Sequence, residues 1–227
     1  MCSFGEIVEP GSRNAWEDWD ENIDCQSEIK WQRAIEVPKV INTFLILEGR
    51  YLADSIKMQV ELKLQHINSV PEYNLKLYKT NDSDCYICVL KDYNLLQSSE
   101  IVELIKPFVV SSVDIVTILT KPLVEYQVSE ILAENHVIRS LSTSKPLVAK
   151  SLAINFPRLE QPNIISGVSA GVICLRESMG LPGTAVVCYI EHPEESHIYE
   201  LQVLLEKLNI VHMDTKPNNI LKSNLYI

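Results

Sequence analysis

Glycine is scarce in this chain, and the glycine patterns that bind phosphate groups are missing. Only seven glycines occur among 227 residues. None of them forms the GxxxxGK[ST] or GxGxxG pattern, in which backbone amides of a loop surround a phosphate. The sequence therefore predicts no nucleotide-binding loop, and we expect no cofactor.

Basic clusters and long apolar runs are also absent. The formal net charge is −10 at pH 7, and no run of Lys and Arg interleaved with aromatics occurs. Such a charge repels phosphate backbones, so nucleic acid is not an expected partner. The longest apolar stretch, residues 164–190, is interrupted by Arg176, Glu177 and Pro182. We therefore expect no membrane span.

Cysteine and histidine lack the spacing of disulfide or metal sites. The six cysteines are scattered, and Met1 is not followed by a basic segment and an apolar run. This favours a reducing compartment, and we expect a cytoplasmic location with the nucleus as a second one. Cys85 and Cys88 form a CxxC, but they lie in an apolar stretch, and a second pair for zinc is missing. Buried structural cysteines, and no metal site, are predicted.

The first 36 residues differ from the rest in charge. They hold nine acidic and three basic residues, which gives −6 of the total −10, together with all three tryptophans: Trp16, Trp19 and Trp31. Residues 16–21 are too charged for a core strand and lack a helical apolar stripe. We interpret residues 1–36 as a flexible acidic arm, with the alternative that its tryptophans pack on the domain.

Hydrophobic patterns between residues 37 and 211 predict one folded domain. Strands are predicted at residues 40–47, 56–64, 85–90, 113–119 and 184–190. Helices are predicted at residues 98–108, 163–179 and 194–208, the second of them ended by Gly180. Residues 121–160 are predicted as loops with a short helical piece. This alternation predicts a single layered α/β/α domain with a central, mostly parallel sheet.

One stretch matches a catalytic motif. Residues 167–171, GVSAG, fit the GxSxG nucleophile elbow, which presents a serine on a strained turn from strand to helix. Residues 161–163 leave little room for the required strand, and no histidine follows Asp214, the only aspartate after Ser169. We therefore predict small residues that let a helix lie close to the sheet, and no catalytic residues. A serine hydrolase built on Ser169 is the alternative.

Residues 212–227 are interpreted as a C-terminal docking tail. Its last residues, Leu225, Tyr226 and Ile227, place a hydrophobic side chain, a tyrosine and the chain-end carboxylate in a fixed order. The carboxylate can ion-pair with a lysine, and the tyrosine supplies apolar area and one hydrogen bond. These residues are the predicted partner-binding site.

A family resemblance adds to this prediction. Residues 159–165, the helix that follows and residues 185–189 resemble the C-terminal half of the proteasome assembly chaperones, and residues 4–8 and 223–226 are similar to that family's two ends. The resemblance implies a non-enzymatic α/β chaperone that pairs with a second, related assembly chaperone. The pair is then expected on the α-subunit ring of the forming core particle, with the hydrophobic-Tyr-X tail in a pocket between α subunits. An adaptor unrelated to proteasomes, acting through the acidic arm, is the other alternative.

Overall fold

The computed structural model describes residues 29–59, 64–80, 84–127, 136–149, 156–191, 203–206 and 208. Within these ranges the strands are β1 (Ile41–Glu48), β2 (Leu64–Val70), β3 (Leu75–Thr80), β4 (Cys85–Leu90), β5 (Ser112–Pro122), β6 (His136–Ser142) and β7 (Thr184–Ile190). The helices are α1 (Arg50–Gln59), α2 (Ser98–Ser111) and α3 (Gly167–Ser178). A further helical turn covers residues 203–206.

The strands form one mixed sheet in the order β2-β3-β4-β1-β5-β7-β6. The four central strands β4, β1, β5 and β7 are parallel, with Leu45 of β1 beside Ile87 of β4 and Val116 of β5. β2, β3 and β6 add antiparallel pairs at the two sides. The predicted α/β fold is confirmed, with parallel pairing concentrated in the centre of the sheet.

Helices cover both faces of the sheet. Successive residues of β1 point to opposite faces, so Leu45 packs with Leu52 of α1, whereas Phe44 packs with Phe108 of α2. Strands buried on both faces are apolar without interruption, and all seven residues of β7 are buried. Among the described residues, Thr117 Oγ1 is the one buried side-chain polar atom without a hydrogen bond.

The strand predicted at residues 56–64 is wrong. The chain leaves β1 at Gly49 and enters α1, which ends at Gln59, and β2 begins only at Leu64. Leu52 and Ala53 of α1 are buried against the sheet, so tertiary packing outweighs a short alternation of apolar and polar residues. The strand β6 replaces part of the loop region predicted over residues 121–160, where a short helical turn does occur at Leu123–Glu125.

The other predicted elements differ mainly at their ends. α3 begins four residues later than predicted, because Ser166 is extended and Gly167 has a φ of +78°. Gly180, with a φ of +63°, follows the end of the helix as predicted. Of the helix predicted at residues 194–208, residues 203–206 are helical, and Leu204, Leu205 and Leu208 are buried; residues 194–202 lie outside the described part.

Part of the predicted arm contacts the domain. The Trp31 ring meets the Phe108 ring edge-on, with 6.2 Å between the centroids, and Ile29 and Ile35 pack against the same apolar cluster. For Trp31, packing on the domain is therefore what the structure shows. Residues 1–28, with the other two tryptophans, lie outside the described residues. None of the described helices is both long and apolar enough to cross a membrane.

Candidate functional site

The carboxyl ends of the central strands enclose a cleft of about 420 Å³. The chain leaves β1 into α1 on one face of the sheet and leaves β4 into α2 on the other, so the two connections diverge around this point. Crevices at such positions are the usual ligand sites of open α/β sheets. The cleft is lined by residues in the last part of, or just after, the strands β1, β4 and β5, among them Glu48, Arg50, Lys91, Tyr93, Thr120 and Lys121.

A buried carboxylate at the cleft holds the start of α3. Glu48 Oε2 accepts hydrogen bonds from the Ser169 backbone N–H at 2.9 Å and from the Ser169 hydroxyl at 2.6 Å. Glu48 Oε1 accepts a hydrogen bond from the Tyr93 hydroxyl, whose oxygen accepts from the Val168 N–H at 2.9 Å. Two N–H groups of the first helical turn, which lack partners within the helix, are thereby satisfied. Burial, and then the charge of Glu48, raise the pKa of Tyr93, so the phenol remains a hydrogen-bond donor.

Two glycines of the GVSAG stretch permit this arrangement. Gly167 has a φ of +78°, and a Cβ at this position would overlap Glu48 Oε1 and the Tyr93 hydroxyl. A Cβ on Gly171 would lie 2.8 Å from Val102 Cγ2 of α2. These small residues therefore allow close packing. Gly167 lies against the sheet, at the end of β1, whereas the neighbour of Gly171 is the helix α2.

The geometry around Ser169 is not that of a nucleophile elbow. The side chain is fully buried within α3, residues 163–166 before the helix form no strand, and the hydroxyl donates to a carboxylate that holds two other donors. The two histidines of the described part, His66 and His136, belong to β2 and β6. Ser169 therefore lacks the exposure that a serine nucleophile needs, and neither of these two histidines lies beside it.

The charged side chains at the cleft pair with one another. Arg50 contacts Asp92 at 3.3 Å, and Lys121 contacts Glu125 at 3.2 Å. Lys91 contacts the Asp54 carboxylate at 3.3 Å. Each cation thus has an acidic neighbour, and the described residues contain no group of three or more acidic, histidine or cysteine side chains placed for a metal ion.

The CxxC cysteines are buried in β4. Burial raises the pKa of Cys85 to about 12 and raises that of Cys88 as well, the latter also through the charge of Glu48. A raised pKa suppresses the thiolate that redox or metal chemistry requires. The prediction of buried structural cysteines at these positions is confirmed.

Exposed apolar side chains lie in the cleft or close to its lining residues in the sequence. Leu95, Leu96, Val124 and Ile164 are 60%, 85%, 90% and 72% exposed. Leu95 lines the cleft itself, and the other three lie within two residues of lining residues. Exposed aliphatic residues grouped around a hollow are typical of protein contact surfaces.

The predicted and observed site residues do not coincide. Leu225, Tyr226 and Ile227 lie outside the described residues, so their role stays a prediction. The Glu48 and Tyr93 pair was not predicted from the sequence. A usable signal was available, because Glu48 is an acid at the carboxyl end of an apolar strand and precedes Gly49.

Comparison with known proteins identifies the fold. No protein-family model matches the chain, and no curated protein matches it. Among solved structures, Pyrococcus furiosus PbaA, an archaeal homologue of proteasome-assembly chaperone, matches with a TM-score of 0.55 and 13% identity, over 82% of this chain and 84% of that one.

Two further structures match to a similar degree. Pyrococcus furiosus PbaB, an archaeal proteasome activator, has a TM-score of 0.52 and 15% identity, over 77% of this chain and 85% of that one. A Thermoplasma acidophilum protein of unknown function has a TM-score of 0.56 and 11% identity, over 81% and 82%. The chain therefore has the α/β fold of PbaA and PbaB.

Proposed function

We propose that the chain is a non-enzymatic chaperone for assembly of the proteasome core particle. The observation that carries this proposal is the fold shared with PbaA, an archaeal homologue of proteasome-assembly chaperone, over 82% of this chain. The shared fold with PbaB, an archaeal proteasome activator, points the same way. The resemblance of residues 159–165 and 223–226 to the assembly-chaperone family supports it from the sequence.

The chaperone acts as one half of a heterodimer in the cytoplasm and nucleus. It corresponds to proteasome assembly chaperone 1. Together with a second, related chaperone, it binds the α-subunit ring. The exposed apolar residues Leu95, Leu96, Val124 and Ile164 support a protein partner, because exposed apolar side chains are stabilised when another chain covers them.

Leu225, Tyr226 and Ile227 anchor the chaperone in a pocket between α subunits. Three residues of a tail must offset the entropy lost when they are ordered, so the tail alone binds weakly. The folded domain and the partner chaperone supply further contacts, which raise the overall affinity through avidity. The role of the tail is anchoring, and the domain covers the ring surface.

The absence of catalysis is part of the proposal. The buried Ser169 hydroxyl supports it, since the serine of the GVSAG stretch is not open to a substrate. A serine-directed fluorophosphonate probe tests this point. Labelling of the wild type that is lost in Ser169→Ala would favour the serine hydrolase instead.

Deletion of Leu225, Tyr226 and Ile227 tests the docking site. In cells that co-express the partner chaperone, the deletion should lower recovery of α subunits roughly tenfold, which corresponds to ~1.4 kcal/mol of binding free energy. Recovery of the partner chaperone should stay unchanged. The matched control is Asn218→Ser with Asn219→Ser, which alters the tail but keeps its last three residues.

Two outcomes would overturn the proposal in different ways. Undiminished recovery of α subunits by the truncated chain would reject the tail as the anchor while leaving a chaperone role open. A native pull-down of the full chain, analysed by mass spectrometry, that contains other proteins but no proteasome subunits would favour the unrelated adaptor.

A further inference from the structure

The described chain begins beside the edge strand β2. The Gln32 N–H donates to the Ser69 carbonyl at 3.2 Å, and the Ser69 hydroxyl donates to Gln32 Oε1 at 2.7 Å. The Arg33 N–H donates to Asn68 Oδ1 at 3.3 Å, and Asn68 Nδ2 donates to the Arg33 carbonyl at 2.7 Å. Gln32 and Arg33, a few residues after residues 1–28 in the sequence, therefore lie next to this edge.

These contacts involve only the C-terminal part of β2. β2 pairs with β3 on its inner side, and no strand within the described ranges pairs with its outer side. An edge strand with open N–H and C=O groups can pair with a strand of another chain. A segment of the same chain that covered the outer side of β2 would therefore prevent such pairing.

The side chains at this edge are basic. Arg33, His66 and Lys76 are exposed, and neither Arg33 nor Lys76 is in an ion pair with another described residue. Burial, followed by the charges of Lys76 and Arg33, lowers the pKa of His66. The field at His66 is therefore positive, in a chain whose net charge is −10.

The segment upstream of Ile29 has the opposite charge. Residues 1–28 contain eight acidic residues and one basic residue, Arg13, which gives −7. Because the whole chain carries −10, residues 29–227 carry only −3. Trp16 and Trp19 lie among the acidic residues. Indole rings bind favourably to the cations of Arg and Lys, and carboxylates form charge-assisted hydrogen bonds with them.

We propose that residues 16–24 bind within the same molecule to Arg33, His66 and Lys76 and cover the edge of the sheet at β2. Gln32 contacts Ser69 of β2, and eight peptide steps separate residue 24 from Gln32, a reach of about 27 Å. His66 lies three residues from Ser69 along β2, only about 10 Å away. The connection is thus long enough. The acidic segment acts as a strap that keeps β2 from pairing with other chains, a role separate from the proteasome function proposed above.

Proteolysis by the glutamate-specific protease Glu-C tests this contact in the full chain. Cleavage after Glu17 and Glu21 at low salt should be roughly tenfold slower than in a free peptide of residues 1–28, because a docked segment must open before it is cut. High salt should remove the protection by screening the ion pairs. The variant Arg33→Gln with Lys76→Gln should be cut about as fast as the peptide.

A matched variant controls for the loss of two positive charges. Lys106→Gln with Lys145→Gln changes one partly exposed and one exposed lysine elsewhere and should retain the protection. Circular dichroism confirms that both variants are folded. Wild-type cleavage at the rate of the peptide, or protection that persists in Arg33→Gln with Lys76→Gln, would overturn the proposal. Protection that rises with protein concentration would also overturn it, since the strap would then bind a second copy.

Discussion

Arg176 is a fully buried cation that is bound by backbone carbonyl groups. Its guanidinium donates to the carbonyls of Val109, Ser112, Val113 and Pro182 at 2.7 to 2.9 Å. Burial lowers its pKa, and the charge of Asp114 opposes this. The first of these carbonyls belongs to the last turn of α2, where a cation is favoured by the helix dipole. One side chain therefore joins α2, β5 and the loop after α3.

We expect Arg176→Met to destabilise the protein by about 3 kcal/mol, since four buried carbonyl interactions are lost and the apolar stem cannot replace them. Urea unfolding measures the loss. Arg158→Met, at an exposed arginine, is the control and should change stability by less than about 0.5 kcal/mol. Equal effects of the two substitutions would contradict a structural role for Arg176.

Glu177 gives a prediction about pH. Hydrogen bonds from the Ser144 hydroxyl and the Ser144 backbone N–H lower the pKa of the Glu177 carboxyl. Because the pKa is lower in the folded state, the contact stabilises the protein at pH values above the ordinary glutamate pKa. This contribution is lost as the pH falls through the lowered pKa of the folded state. Ser144→Ala should move the Glu177 pKa part of the way back, because the backbone N–H remains.

Carbon-detected NMR titration of the Glu177 carboxyl measures this shift. Ser178→Ala is the matched control, since the Ser178 hydroxyl donates to the Leu175 carbonyl and leaves Glu177 untouched. An unchanged Glu177 titration in Ser144→Ala would show that the hydroxyl has no influence.

The start of α3 allows a comparison between two glycines. Gly167 and Gly180 both have positive φ, but only Gly167 is crowded, by Glu48 and Tyr93; nothing lies within 4 Å of a Cβ at Gly180. Gly180→Ala should cost about 1 kcal/mol from the backbone conformation alone. Gly167→Ala should cost at least ~2 kcal/mol more, because it also breaks the Glu48 and Tyr93 contacts. Similar thermal shifts for the two variants would show that the hydrogen-bonded cluster contributes little.

The elements that could be predicted from sequence are those with buried apolar runs. β4 and β7 were predicted at their observed residues because both are fully buried strands. α1 was missed because its last residues belong to the alternation of apolar and polar residues over 56–64, which also fits a strand. β6 was missed because Ser140 and Arg139 interrupt its apolar character. The local pattern marks Glu48 at the end of an apolar strand, but it does not identify Tyr93 as its partner, because the two residues are 45 positions apart.

The whole molecule should unfold as one unit, because the central sheet separates the two large apolar clusters and contributes to both. Phe108 contacts the rings of Trp31, Phe44 and Tyr86, with centroids 5.7 to 6.2 Å away. Phe108→Ala should therefore cost about 3 to 5 kcal/mol.

Two probes test this cooperativity. In a background of Trp16→Phe and Trp19→Phe, the fluorescence of Trp31 reports on the α2 side of the sheet, while far-ultraviolet circular dichroism reports on all elements. The two transitions should coincide in the wild type and shift together in Phe108→Ala. Separate transitions would show that the two faces unfold independently.

The unpaired hydroxyl of Thr117, in the middle of β5, has a practical consequence for studying the partners of this protein. Thr117→Val keeps the shape of the side chain and removes a polar atom that gains no hydrogen bond, so we expect stabilisation of about 1 kcal/mol, measurable as a higher Tm. The substitution alters no surface. Surface substitutions usually cost less than about 0.5 kcal/mol, so variants made in this background would stay at least as stable as the wild type, and a loss of binding would report on the contact that was changed.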